Sequence, residues 1–254
     1  MSGLDFTGRT VIVTGGTRGI GRAIADGFHQ AGATVFVCGR RPPEDASEVR
    51  FIAADVRKIE EIERVVAAAT TQTGRLDVLV NNAGGSPAAD AATASPRFSE
   101  AILRLNLIAP LNFAQAANAV MQTQETGGVI VNIGSVSALR PSPGTAAYGA
   151  AKAGLSSLTK SLAVEWAPKV RVVGVLGGPI RTEAADAHYG GAEGIEAVAQ
   201  TIPLGRLGAP GDIASAVLYL ASSAAGWVSG ADLVVHGGGE RPAFLAAAEK
   251  AGGG

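Results

Sequence analysis

Short β-branched apolar runs alternate with longer stretches of helical periodicity along almost the whole chain, and this alternation leaves few folds open. Residues 10–14, 34–38, 51–54, 78–80, 129–133, 170–175 and 233–235 read as seven strands. Most lack a polar–apolar alternation and are bounded by Gly, Asn or Asp, as strands covered on both faces should be. Residues 19–30, 60–70, 99–121, 150–166 and 210–222 carry helical spacing, with Pro168 just past one helix and Pro210 at the first turn of another. Strands alternating with helices predict an α/β architecture, a doubly wound parallel sheet with right-handed crossovers. No internal repeat or low-complexity linker interrupts the 254 residues, so residues 1–254 are expected to form one domain. Two segments break the rhythm. Residues 183–203 hold Gly190, Gly191 and Gly194 among scattered acids, which suggests a lid over a site. The tail after Gly237 ends in three glycines, and residues 245–254 are expected to be flexible.

The composition narrows the function. The chain is 47% hydrophobic and 17% charged, with 35 glycines, which suits a buried sheet with many tight turns. Twenty-one basic against 22 acidic residues leave a net charge of −1, arguing against nucleic acid or an anionic membrane as partner. With Cys38 as the one cysteine, no intrachain disulfide can form and a reducing compartment is expected. His29, His188 and His236 show no metal-ligand spacing, so no metal is expected. The amino terminus lacks the basic and apolar segments of a signal peptide, and no apolar run approaches the ~20 residues of a membrane span. The expectation is a cytoplasmic protein.

Directly after the first strand stands Thr14-Gly15-Gly16-Thr17-Arg18-Gly19-Ile20-Gly21, and then a helix opens. The unpaired N–H groups and partial positive charge of a helix amino terminus favour a pyrophosphate, and glycines let the backbone approach it. A tight strand–helix turn would account for the same glycines. The second strand sharpens the reading. Where an NAD site carries an acid about 20 residues beyond the glycines, this chain has Cys38-Gly39-Arg40-Arg41. Arginine forks match a phosphate, so Arg40 and Arg41, with Arg18 from the loop, point to the 2′-phosphate of NADP(H); the alternative is solvated surface charge.

Tyr148 and Lys152 stand four residues apart on one helix face. A free tyrosine has a pKa near ~10, too high for efficient proton transfer at neutral pH, and an adjacent ammonium should lower it. Ser135, just past the fifth strand, lies at the carboxyl edge where open α/β sheets place their sites, and its hydroxyl can donate to a substrate oxygen. A tyrosine and a lysine on a helix are often mere surface; with the glycine loop and a strand-end serine they gain weight together.

TGGTRGIG, Asn81-Asn82-Ala83-Gly84, Ser135 and Tyr148-x-x-x-Lys152 resemble the short-chain dehydrogenase/reductase family, in its compact, 3-oxoacyl-reductase-like branch, from about Gly8 to Gly239. The resemblance implies a Rossmann-like fold with strand order 3-2-1-4-5-6-7 and a homotetramer (or homodimer) built partly on the helices containing Asn106 and Tyr148. It implies Tyr148 as general acid/base, Lys152 as its partner and a ligand of the nicotinamide ribose, and Ser135 on the substrate oxygen. Asn106 would anchor a water of the proton relay. Asp55 and Val56 would flank the adenine, Asn82, Ala83 and Gly84 would border the cofactor, and Ile180 and Thr182, with the turn at Gly178, would meet the nicotinamide. Asp55 could equally cap the next helix, and Asn106 could be an interior polar group bonded to a carbonyl. Cys38 reads as a buried strand thiol. His188 and Tyr189 are either substrate contacts or exposed loop residues.

Three departures stand out. The connection over residues 39–48, with Pro42-Pro43, is near the lower limit for a parallel crossover, so its helix should be rudimentary or absent and the adenine end open. The family's Asn-x-x-x-Pro-Gly after the sixth strand is here Val173-Gly174-Val175-Leu176-Gly177-Gly178, with the proline displaced to Pro179, which should loosen the turn. His236 stands where such proteins often carry Asp or Asn. The expected function is an NADP(H)-dependent oxidoreductase interconverting a ketone and a secondary alcohol; the alternative is an NADP(H)-binding regulatory or scaffold protein. A sugar-nucleotide epimerase would space its glycines differently. Reduction of a carrier-bound 3-oxo acyl chain is disfavoured, because residues 121–128 hold Glu125 and no Lys or Arg. The small, mostly uncharged residues of 86–90, 136–147 and 183–203 suggest a neutral or apolar small-molecule substrate.

Overall fold

In the computed structural model, which describes residues 4–44, 48–183, 185 and 189–252, the seven expected strands form one sheet in the order β3-β2-β1-β4-β5-β6-β7. They are β1 (Thr10–Thr14), β2 (Thr34–Gly39), β3 (Arg50–Ala53), β4 (Val78–Asn81), β5 (Gly128–Ser135), β6 (Val170–Gly177) and β7 (Asp232–Val235). All six pairings are parallel. The helices are α1 (Gly19–Gln30), α2 (Ile59–Thr73), α3 (Pro96–Leu103), α4 (Ala109–Met121), α5 (Ala146–Glu165), α6 (Gly191–Thr201), α7 (Pro210–Ala221) and α8 (Ala243–Gly252).

Successive strand residues point to opposite faces, and each face has its own core. Val11, Val13, Val35, Val37, Val173 and Val175 pack under α1 and α7, against Ile24, Phe28, Ile213 and Val217. Ile12, Phe36, Cys38, Leu79 and Ile130 pack on the other side, against Val65 of α2, Phe113 of α4 and Leu162 of α5. Because both faces bury apolar side chains, the strands read as continuous apolar runs. Order reverses between β1, which continues to β2, and β4, which continues to β5, so a crevice opens at their carboxyl ends.

Three local differences from the sequence expectations have physical reasons. The helix expected over 99–121 is three pieces. Ser95 caps α3 by accepting from the Phe98 N–H, with Pro96 in the first turn, and a π-turn over Arg104–Ile108 separates α3 from α4. One extra residue per turn leaves the apolar spacing nearly unbroken, so periodicity does not reveal it. The segment 183–203, expected to be a lid, contains α6, whose Ile195 and Ala199 pack with Ile202, Leu207 and Ala185 in a small separate cluster; His188 lies outside the described residues. The tail, expected to be flexible over 245–254, is helical as far as Gly252, the alanine-rich run after Pro242 being a good helix former; residues 253 and 254 lie outside the described ones. Between β2 and β3 no helix occurs among the described residues, as the short connection requires.

Candidate active site

The carboxyl ends of β1 to β6 enclose a cleft of about 540 Å³. Its floor is the loop from Gly15 to Gly21. Gly15 and Gly19 have φ of 64° and 56°, a region that disfavours side chains. A Cβ on Gly21 would overlap the Gly15 carbonyl and the Asn82 amide. The Arg18 N-cap of α1 has no side-chain capping bond, so the first N–H groups of α1 face the cleft. Thr17, Arg18, Gly19 and Ile20 line it.

Behind the loop, Asn82 and Ala83 hold its shape. Both backbone N–H groups donate to Thr14 Oγ1 at 2.9 Å, and Asn82 Nδ2 donates to the carbonyls of Thr14 and Gly15 at 2.9 and 3.2 Å. These bonds join the end of β4 to the end of β1 across the reversal point.

At one end of the cleft stand Arg40, Asp55, Val56 and Arg57. Arg57 grips Asp55 with Nε to Oδ1 at 2.8 Å and Nη2 to Oδ2 at 2.5 Å. This guanidinium, opposed by burial and assisted by Arg40, pulls the Asp55 carboxyl down to about 2. The Asp55 backbone N–H donates to Glu61 Oε2 at 2.7 Å, so the turn into α2 is tied as well. Arg57 was not anticipated from the sequence, since only the folded turn brings it back onto Asp55. Arg41 is exposed and does not line the cleft.

At the other end are Tyr148 and Lys152, from the first turns of α5. Lys152 is 4% exposed; its Nζ lies 5.6 Å from the centre of the Tyr148 ring and donates to the Ile133 carbonyl at 2.7 Å. Burial pushes the Lys152 ammonium down to about 8. Burial likewise raises the Tyr148 phenol, and a hydrogen bond with the Ser135 hydroxyl pulls the other way. The expectation that Lys152 lowers this phenol is corrected here. The ammonium points at a backbone carbonyl, and desolvation dominates. Ser135 Oγ also accepts from the Ser137 N–H at 3.2 Å.

Asn106 sits fully buried in the π-turn. Its Oδ1 accepts from the Gly85 N–H at 2.8 Å, and its Nδ2 donates to the carbonyls of Gly85 and Ile102 at 2.9 and 3.0 Å. The side chain therefore pins the Gly84-Gly85 turn. A Cβ on Gly84 would stand 2.7 Å from Asn106 Oδ1 and 3.4 Å from Lys152 Nζ.

Beyond β6, Thr182 lines the cleft but Gly178 and Ile180 do not. Gly208 donates to the Pro179 carbonyl and Arg181 to the Gly208 carbonyl, at 3.0 and 2.8 Å. This bridge turns Ile180 to a separate cavity shared with His236. The pairing also explains two departures together. The Gly178 N–H donates to the Val235 carbonyl at 3.0 Å, and a Cβ there would fall 2.7 Å from the Cβ of His236, so the histidine occupies the room the glycine leaves. Glu183, beside Thr182, also lines the cleft; nothing local in the sequence marks it. Among the described residues no cluster of His, Cys, Asp and Glu could hold a metal, and no helix is long and apolar enough to cross a membrane.

Residues 15–240 match the family model described as "Enoyl-(Acyl carrier protein) reductase". An uncharacterized short-chain type dehydrogenase/reductase of Sinorhizobium fredii is 37% identical, over 91% of this chain and 43% of its own length. The 3beta-hydroxysteroid dehydrogenase 1 of Eggerthella lenta is 35% identical, over 92% of this chain and 94% of its own. Among solved structures, the aldohexose dehydrogenase of Thermoplasma acidophilum superposes with a TM-score of 0.87 at 32% identity, covering 93% of this chain and 95% of that one. These matches run through the whole sheet and not only its motifs, and by them the chain belongs to the short-chain dehydrogenase/reductase family of nicotinamide-dependent oxidoreductases.

Proposed function

We propose that the protein is an NADP(H)-dependent oxidoreductase that interconverts a ketone and a secondary alcohol, working on a small neutral or apolar molecule. One observation carries the reading: the Tyr148 phenol, with the buried Lys152 ammonium 5.6 Å from its ring centre, stands at one end of a cleft floored by a helix amino terminus. The chain fits a dinucleotide. Gly21 lets the loop fold tightly, since a Cβ there would overlap the Gly15 carbonyl and the Asn82 amide, and the N–H groups of α1 are donors for a pyrophosphate. Arg40, with Arg18 in the loop and Arg41 further out, would hold the 2′-phosphate; Asp55 and Val56 would flank the adenine. Asn82, Ala83, Gly84 and Thr182 would border the nicotinamide half, where Lys152 would bond the ribose.

The nicotinamide, when bound, supplies or takes up the hydride at the substrate carbon. Everything else falls to the chain. Burial keeps the phenol of Tyr148 protonated at neutral pH, which suits a general acid that gives its proton to a carbonyl oxygen as negative charge builds there. Ser135 holds that oxygen with its hydroxyl. Lys152 offsets the charge left on the phenolate. Asn106 serves as a positioning residue, keeping the Gly84-Gly85 turn close beside the ammonium. Residues 183–203 form the lid, and a reducing cytoplasm suits a chain whose single thiol is buried in β2.

Consumption of NADPH across ketones of graded size and charge tests the activity, and Arg40 tests the cofactor. Hydrogen bonds to charged groups contribute about 1.5–3 kcal/mol. Arg40→Ala is therefore expected to weaken NADPH roughly tenfold to a hundredfold while NADH changes less than threefold, with Arg41→Ala the milder of the two. Equal losses for both dinucleotides would make the arginines bystanders. The association proposed is a homotetramer (or homodimer) of like chains. Val164 on α5 is 81% exposed and Ile108, at the end of the π-turn, 42%, an apolar exposure that contact between these helices would cover. Light scattering should return the mass of four chains or two; a monomer at micromolar concentration would refute it.

A further inference from the structure

The floor of the cleft holds a negative group already. Glu183 Oε1 accepts from the N–H of Gly19, the first residue of α1, at 3.2 Å. Its other oxygen lies 3.4 Å from where a Cβ on Gly19 would stand, so both oxygens lie beside the first residue of the helix. Helix α1 has no acidic residue in its first turn and no side-chain cap of its own; the carboxylate comes from 164 residues away. Anions are favoured at such a place by the helix dipole and the unpaired donors. Those are the same donors that a dinucleotide pyrophosphate uses, and two anions cannot occupy them together.

We propose that Glu183 is a built-in competitor of the cofactor: its carboxylate docks on the amino terminus of α1 in the free protein and must leave before the pyrophosphate of a dinucleotide can bind. The inference rests on the family's dinucleotide lying on the glycine loop, and not on the choice between NADP(H) and NAD(H). Apparent affinity is reduced by the fraction of molecules in which the donors are taken. A carboxylate at a helix amino terminus is worth about 0.3–1 kcal/mol when exposed, which corresponds to a roughly two- to five-fold loss.

Calorimetric titration of the parent, Glu183→Gln and Glu183→Ala with NADPH, NADH and adenosine 2′-phosphate tests this. The last ligand lacks the pyrophosphate. Both variants should bind the dinucleotides roughly two to five times more tightly than the parent, and adenosine 2′-phosphate with an unchanged ratio. In thermal melts Glu183→Ala should melt no higher than the parent alone, yet gain more on adding dinucleotide. Unchanged or weaker dinucleotide binding in both variants overturns the competitor, as does an equal gain for adenosine 2′-phosphate, which would place the effect away from the glycine loop. Failure of the parent to bind either dinucleotide would take down the cofactor site itself, and the competitor with it.

Discussion

Tyr148→Phe is expected to bind NADPH within about threefold of the parent and to lose roughly 10²- to 10⁴-fold in kcat for ketone reduction, the range that general acid catalysis supplies. The change removes one oxygen and leaves the ring where it packs. Ser135 keeps a partner, because its Oγ accepts from the Ser137 N–H, so no buried polar atom is orphaned and the melting temperature should barely move. Binding is read by titration of the dinucleotide and catalysis by single-turnover hydride transfer. A variant within tenfold of the parent would remove Tyr148 from the proton path.

Lys152→Met should separate catalysis from stability. Lys152 falls from an ordinary 10.5 to about 8 because it is buried. Below pH 8 the ammonium is charged in both the folded and the unfolded chain, so the folded state bears the full burial cost, on the order of 3 kcal/mol at ~1.4 kcal/mol per pKa unit. That cost is relieved as pH rises from 8 to 10.5, where the unfolded chain binds the extra proton. Methionine removes the charge at every pH and costs about 1–3 kcal/mol for the donor lost to the Ile133 carbonyl. The variant should therefore melt at or above the parent temperature at pH 7 while reduction falls at least a hundredfold. The parent supplies the companion measurement. Its kcat/KM for reduction, which reports the free enzyme, should decline above pH 8 as Lys152 and then Tyr148 lose the protons that reduction needs. A stable, active Lys152→Met variant, or a reduction rate still climbing at pH 9, would sink the assignment.

The sheet was legible because its signal is local: each strand is a short β-branched run, and the bounds of β1 and α1 agree to the residue. What escaped depends on something the local pattern does not carry. The π-turn around Asn106 adds a residue without disturbing the apolar spacing. Helix α6 was masked by Gly191 and Gly194, although Ile195, Val198, Ala199 and Ile202 keep the spacing of one helical face. At the site, Tyr148, Lys152, Ser135 and the glycine loop are short-range patterns that the fold brings to one cleft. Arg57 and Glu183 belong there only through contacts made after folding. Ile180 and Gly178 point elsewhere because Gly208 and His236, distant in sequence, claim their surroundings. The phenol's upward shift was invisible for the same reason: desolvation is a property of the packed core and not of a four-residue spacing.

The bare strap between β2 and β3 has a consequence for engineering. Among the described residues between these strands there is no helix, and the side chain that reaches the cleft from this connection is Arg40. With the adenine placed as proposed, a dinucleotide enlarged at its base, by a dye or a polymer tether for immobilisation, would meet no helix among the described residues there. Exchanging one nicotinamide coenzyme for another likewise becomes a matter of rewriting surface charge, with no hydrophobic interior to repack.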